Sequence, residues 1–425
     1  MVMARVWGLL AIAIALSAFA GFAPAADDDK LKEQALKLND LATPEKMQEK
    51  LVALNKDKEG TKALIKAALK AHEAAPDKEK PYKFPASIIL AKAAHILKEY
   101  DAAETFYKSA VATSTARKEG LRHVQAYEGL LDVYWDQKEF SKVEEVAQRF
   151  IEIRGADEVE QAKPFILEQI VKAKAKQGNS AEALQMADNL IKLDDGGWYF
   201  LQLKGWVQRE GGKLDDAIST YEEVLEKISK SKQLKDEVKT RISRNVRYLL
   251  SGLHVDNKAI DKAAEQLQKL IKDDPENPTF YNDLGFIWSD NNIKLDESEA
   301  MIRKALELDA KQRQKLLEEK KIDEAEAKKE NAAYLDSLGW VLFKNKKYEE
   351  AVKYLEAATK DEDEGQHIEI WDHLADALVA LGKKKEAVEI WQKCLKLEDV
   401  SSRDSERRKK VTEKLRKMKA ELAKS

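Results

Sequence analysis

Cysteine is almost absent: Cys394 is the only one in 425 residues. A lone thiol permits no intrachain disulfide and excludes paired-cysteine zinc and redox motifs. Glycine and proline are scarce, at 17 and 8, which fits a chain made of helices. The histidines His72, His95, His123, His254, His367 and His373 are scattered and share no metal-ligand spacing. There is no Gly-rich phosphate loop, no nucleophile elbow and no His-Glu-x-x-His pair. The sequence therefore points to no cofactor, no metal and no reaction. A net charge of −3 gives the molecule as a whole no reason to seek a polyanion, so no nucleic-acid partner is expected. Only one run, residues 6–22, is long and apolar.

That run follows Arg5, the only charge in the first 25 residues. Ala23-Pro24-Ala25 is a small-x-small site ahead of Ala26 and the acidic residues 27–29. The arrangement resembles a secretory signal peptide cleaved after Ala25, or after Ala20. An uncleaved membrane anchor is the alternative. No cysteine lies near the site, which argues against a lipid-anchored form. Export without any disulfide framework suits a bacterial periplasm or cell envelope. Membrane contact is then limited to export or peripheral association.

What is present is periodicity. Residues 331–397 hold two copies of one pattern in phase. Leu335, Leu338, Gly339 and Leu342 recur thirty-six residues later as Trp371, Leu374, Ala375 and Leu378. Ala351, Leu355 and Ala358 recur as Ala387, Trp391 and Cys394. Small residues at these positions let two helices touch backbone to backbone, and the large ones fill the wedge between neighbouring units. Upstream, Gly205 with Ala217, Tyr221 and Val224 keeps the same spacing, and Gly285 with Ser298, Ile302 and Ala305 repeats the pattern across a slightly lengthened turn. Weaker copies include Ala263 and Leu267; Leu167, Gly178, Ala183 and Leu190; Tyr127, Leu130, Tyr134 and Phe150; and Leu90, Ala91, Ala103, Tyr107 and Ala110. Eight units fit between about residues 85 and 397.

The pattern resembles the tetratricopeptide repeat, a helix–turn–helix of about 34 residues. The resemblance covers roughly three quarters of the chain. It implies an all-α, right-handed superhelical solenoid in which each unit contacts only its neighbours. It implies a scaffold that binds other proteins. Residues 281–397 are most similar to exported tetratricopeptide proteins of bacterial envelopes.

On this basis residues 1–25 form the signal segment and 26–84 an N-terminal helical cap, opened by the helix start Thr43-Pro44-Glu45. Residues 85–309 hold about six units, and 310–331 a charged helical insertion. Two well-formed units occupy 332–398, and 399–425 a basic amphipathic tail. Val411, Leu415, Met418 and Leu422 lie on one face of that tail, as a helix covering the last apolar surface would need. Cys394 at a small packing position reads as a buried thiol. Gly178 and Gly212 read as tight turns with positive φ.

In such arrays the first (A) helix of each unit lines the concave groove. The residue after its small position should face that groove: Trp206, Phe286, Trp340 and Asp376. Gln202, Arg209, Asn282, Asp283, Asp336, Ser337, Phe343, Lys344, Asp372 and His373 lie near them by the same geometry. The expected partner-binding set is therefore Trp206, Phe286, Trp340, Asn282, Asp283, Asp336, Phe343, Asp372, His373 and Asp376. The alternative for Trp340 and its equivalents is packing into the adjacent unit. Gly205, Ala217, Gly285, Gly339, Ala351, Ala375 and Ala387 are the packing set. In peptide-binding members of the family an Asn at the Asn282 type of site grips the peptide backbone. Here Asp283, Ser337 and His373 stand at the corresponding sites, and the Lys/Arg carboxylate clamp of chaperone-binding members is not evident. The acidic tilt favours a peptide or protein segment with basic residues flanking apolar ones. A second reading has the aromatic row stacking on glycan such as peptidoglycan. A third is self-assembly into a homo-oligomer through the solenoid ends. A catalytic role would rest only on Asp372, His373 and Asp376.

Overall fold

A computed structural model describes residues 28–41, 43–115, 117–194, 197–362, 364–398 and 402–423. The signal segment, with its cleavage site at Ala25, lies outside these residues. Among the described residues no strand occurs, and no helix is long and apolar enough to cross a membrane. The chain is an all-α repeat solenoid and divides into two compact units, one ending at Asn179 and the other starting at Ser180.

The first unit contains α1 (Asp28–Lys37), α2 (Pro44–Lys56), α3 (Lys58–Ala74), α4 (Phe84–Ile96), α5 (Tyr100–Thr113), α6 (Gly120–Asp136), α7 (Phe140–Glu152) and α8 (Asp157–Lys176). The start of α2 follows from its sequence: Thr43 accepts a hydrogen bond from the Lys46 N–H, and Pro44 occupies the first turn. The Asp57 side chain caps α3 through the Gly60 N–H at 2.9 Å.

The second unit contains α9 (Ser180–Leu193), α10 (Trp198–Glu210), α11 (Leu214–Lys230), α12 (Asp236–Asp256), α13 (Ile260–Asp273), α14 (Pro278–Asp290), α15 (Leu295–Glu318), α16 (Glu324–Ala327), α17 (Ala332–Lys344), α18 (Tyr348–Ala358), α19 (Ile368–Ala380), α20 (Lys384–Cys394) and α21 (Ser402–Leu422). α15 runs well past Leu308, its last buried residue. That extension, with α16, is what the charged segment 310–331 forms.

One turn recurs between A and B helices. Lys98, Lys138, Gly178, Gly212, Lys258, Asn292, Lys346 and Gly382 all have positive φ. In each case the next N–H reaches the carbonyl five residues back: Glu99 to Ala94, Glu139 to Tyr134, Asn179 to Lys174, Lys213 to Gln208, Ala259 to His254, Ile293 to Trp288, Lys347 to Leu342 and Lys383 to Leu378. This is the Schellman closure, which satisfies a carbonyl the helix end leaves unpaired. The left-handed residue costs nothing for glycine and about 1 kcal/mol for a residue with a Cβ. Lysine nevertheless holds four of these positions, so tertiary packing overrides local preference there. Lys320 repeats the geometry at the end of α15.

The turns set the phase of the packing residues. Gly205, Gly285, Gly339 and Ala375 each stand seven residues before a left-handed residue. A Cβ at Gly339 would lie 2.5 Å from Leu355 Cγ, and one at Gly205 would lie 2.9 Å from the Tyr221 ring. Ala375 is fully buried, as are Ala217, Ala351 and Ala387 on the partner helices. Leu338, Leu342, Leu355, Leu378, Trp391 and Cys394 form one core with Val411 of α21. Each such aliphatic or aromatic side chain contributes about 1.5–3 kcal/mol by leaving water.

Candidate partner-binding site

The same phase identifies the row that follows the small position in the second unit: Trp206 on α10, Gly252 on α12, Phe286 on α14, Trp340 on α17 and Asp376 on α19. The row does not behave uniformly. Its last members converge into a closed cluster, and its middle stays open.

Trp340 is only 9% exposed. Its ring stacks on His373 at 4.0 Å and on Phe343 at 5.0 Å. Its indole Nε1 donates to Asp290 Oδ1 at 3.1 Å. Phe286 leans on the same His373 ring at 6.5 Å. Trp340 therefore packs between adjacent units, and the expectation that it faces a partner is corrected. A large apolar ring gains more from burial than from standing free in a groove, and its N–H has found an acceptor.

His373 is 1% exposed and pairs through Nδ1 with Asp336 Oδ1 at 2.9 Å. Burial alone would lower its pKa. Asp336 and Glu369 outweigh burial and the Arg407 guanidinium and hold it above the ordinary 6.5. Asp336 is buried as well, so this pair is a structural bond between α17 and α19.

Asp372 is buried. It accepts from Trp391 Nε1 at 3.0 Å, from Lys414 Nζ at 2.8 Å and from Arg407 Nη1 at 3.4 Å. Lys414 also donates to Asp376 at 2.6 Å. Burial, then repulsion from Asp372, raises the Asp376 pKa, against the pull of Lys414. Burial would lower the Lys414 pKa, but the two carboxylates overcome it and raise the value. The expectation that Asp372, His373 and Asp376 line an open surface is corrected: α21 lies over them. Among the described residues no group of three His, Cys, Asp or Glu side chains is arranged to hold a metal ion. Cys394 is buried, its Sγ 3.4 Å from the Ile368 carbonyl oxygen, and burial pushes the thiol up to about 12.

The open part of the row centres on α12. Tyr248 is 41% and Leu249 36% exposed. They share a stripe with Arg241 and Asn245, both exposed, and with Gly252. A Cβ on Gly252 would meet nothing within 4 Å, so the row has a gap where its neighbours carry Trp206 and Phe286. The Tyr248 hydroxyl donates to Asp283 Oδ2 at 2.7 Å, and its ring tilts against Phe280 at 5.8 Å. Burial raises the Asp283 pKa, and the Tyr248 and Asn282 hydrogen bonds oppose that. Asn282 is itself buried, and its Oδ1 has no partner among the described residues.

Sequence reading missed Tyr248 and Leu249. In that unit Ser251-Gly252 replaces the small–aromatic pair, so the A helix shows no signature. No sequence signal marks them: the turn that sets the phase carries Lys258, not glycine, at its left-handed position, seven residues after Ser251.

Two family models match the chain: a tetratricopeptide-repeat model over residues 169–232 and the model of anaphase-promoting complex (cyclosome) subunit 3 over residues 292–394. No curated protein sequence matches. Similar solved structures include a tetratricopeptide-repeat protein from Parabacteroides merdae. It is 13% identical, with a TM-score of 0.43, over 68% of this chain and 98% of that one. The Cut9–Hcn1 hetero-tetramer of the anaphase-promoting complex is 14% identical, with a TM-score of 0.41, over 91% and 70%. The MamA protein is 17% identical, with a TM-score of 0.33, over 47% and 91%. Likeness at these scores carries no weight for function. The family models and the recurring turn support the assignment, and the chain is a tetratricopeptide-repeat protein, a helical scaffold for protein–protein interaction.

Proposed function

We propose that the scaffold binds an extended or helical protein segment on the A-helix face of α10, α12 and α14, without catalysing a reaction. One observation carries this reading: Tyr248 and Leu249 are adjacent, apolar and open to water beside the Gly252 gap. Exposed aromatic and aliphatic side chains that border an unfilled space gain free energy when a partner side chain fills it. Trp206 and Phe286, both half-buried, flank the gap in the row. A segment with an apolar anchor fits that chemistry. The glycan reading has no comparable support, since the Trp340 ring it would need is already stacked between side chains of this chain.

The setting we propose is a bacterial envelope or periplasm. It rests on the apolar run 6–22 and the Ala23-Pro24-Ala25 site. The test is an affinity pull-down with the full chain and with Tyr248→Ser/Leu249→Ser, after circular dichroism establishes equal helicity. Loss of a specific protein from the variant alone supports the reading. Equal recovery by both proteins refutes it.

A further inference from the structure

A helix that only capped the end of the solenoid would need its apolar stripe and little else. α21 supplies that stripe: Val411 is buried, and Leu415 and Met418 pack partly against the core around Trp391. Arg408 also donates to the carbonyl oxygens of Leu395 and Leu397, closing the end of α20. Yet α21 also carries a ladder of cations onto a different surface, the A-helix face of α19. Arg407 pairs with Glu369 and reaches Asp372 at 3.4 Å. Lys414, seven residues on and so on the same helix face, sits 2.8 Å from Asp372 and 2.6 Å from Asp376. One turn before Arg407, Arg403 pairs with Asp256 at the end of α12, tying α21 to the helix that bears Tyr248 and Leu249.

We propose that the acidic face of α19, formed by Glu369, Asp372 and Asp376, is a docking site for a basic amphipathic helix of a partner protein, and that α21 is its resident competitor. The complementary charge of the helix now seated there defines the occupant. It presents two cations seven residues apart with an aliphatic side chain between them, as Arg407, Val411 and Lys414 do. α21 is suited to exchange. Among its described side chains only Val411 and Asp404 are buried, Leu415 and Met418 pack only partly against the core, and much of its remaining hold on the α19 face is ionic, which salt and competing cations weaken. Because α21 is tethered, a partner competes against a millimolar effective concentration and needs matching charge to win. Displacing α21 also breaks the Arg403–Asp256 tie, so occupation of the α19 face and access to the α12 stripe are coupled.

The experiment uses the full chain and, as probe, a fluorescein-labelled synthetic peptide of residues 402–422, read by fluorescence anisotropy. Wild type is compared with Arg407→Glu/Lys414→Glu, which repels α21 from the face and keeps Val411, Leu415 and Met418. The expected result is at least tenfold tighter peptide binding by the variant. Adding Asp372→Asn/Asp376→Asn should abolish that gain. A folded variant that binds no more tightly than wild type overturns the proposal. If the variant fails to fold, hydrogen exchange on the wild type decides. α21 amides exchanging at least a hundredfold faster than those of α20 support a displaceable helix, and equal protection overturns it. Neither arm uses Tyr248 or Leu249, so the outcome is independent of the proposed α12 site.

Discussion

Replacing Gly285 with alanine would put a Cβ 2.7 Å from the Ser298 carbonyl oxygen and 2.7 Å from Ile302 Cγ1. The first contact is backbone, so α15 must move away from α14. Ile302 is fully buried and has little freedom to rotate aside. Overpacking of this kind costs about 1–3 kcal/mol, and the severity here favours the upper half of that range. Alanine in a helix interior returns about 1 kcal/mol of propensity. The net is a destabilisation of about 1–2 kcal/mol. Gly252→Ala makes the same chemical change in another A helix where the Cβ meets nothing. Only the propensity gain of about 1 kcal/mol remains, with the opposite sign. Urea denaturation followed by far-UV circular dichroism compares the two, and hydrogen exchange at α14 and α15 locates the effect. A repeat array unfolds in parts, so the local measurement matters. If Gly285→Ala is as stable as wild type, or if Gly252→Ala is equally damaging, the packing argument fails.

Four further outcomes follow from the same geometry. Lys346→Gly should stabilise by about 0.5–1 kcal/mol by relieving a left-handed lysine, and Gly382→Ala should destabilise by about 1 kcal/mol, both read from urea midpoints. His373 is held above its ordinary 6.5 in the fold, so its protonated form stabilises fully below that pH and the contribution fades as pH rises through the folded value. The stability difference between wild type and His373→Gln should therefore shrink as pH is raised above 6.5 in a denaturation series, and a difference that grows instead contradicts the assignment. Cys394, buried and pushed up to about 12, should resist a thiol reagent in the native protein and react once denaturant opens the last repeat.

The repeats were legible because their determinants are local. Small residues at fixed offsets, such as Gly339 with Ala351, report contacts between neighbouring helices, and the structure has those residues in those contacts. Long-range closure was not legible. Nothing near Phe286 in sequence announces that its ring will lean on His373, or that Arg407 will lie against Glu369 and Asp372. Reading Asp372 and Asp376 as groove-facing lacked the helix that lies against them, which comes from the far end of the chain. Tyr248 was hidden for a different reason. The Ser251-Gly252 pair erases the aromatic signature, and a lysine rather than a glycine fills the turn that would have set the phase.

The central claim, that the α12 stripe receives a protein segment, is tested most directly by site-specific photo-crosslinking in cells. p-Benzoylphenylalanine would replace Leu249 in one strain and the exposed Gln268 on the B helix α13 in another. The account predicts a discrete adduct with one protein from position 249, lost when Tyr248→Ser is added, and none from position 268. Adducts of the same protein from both positions, or none from position 249, would contradict it.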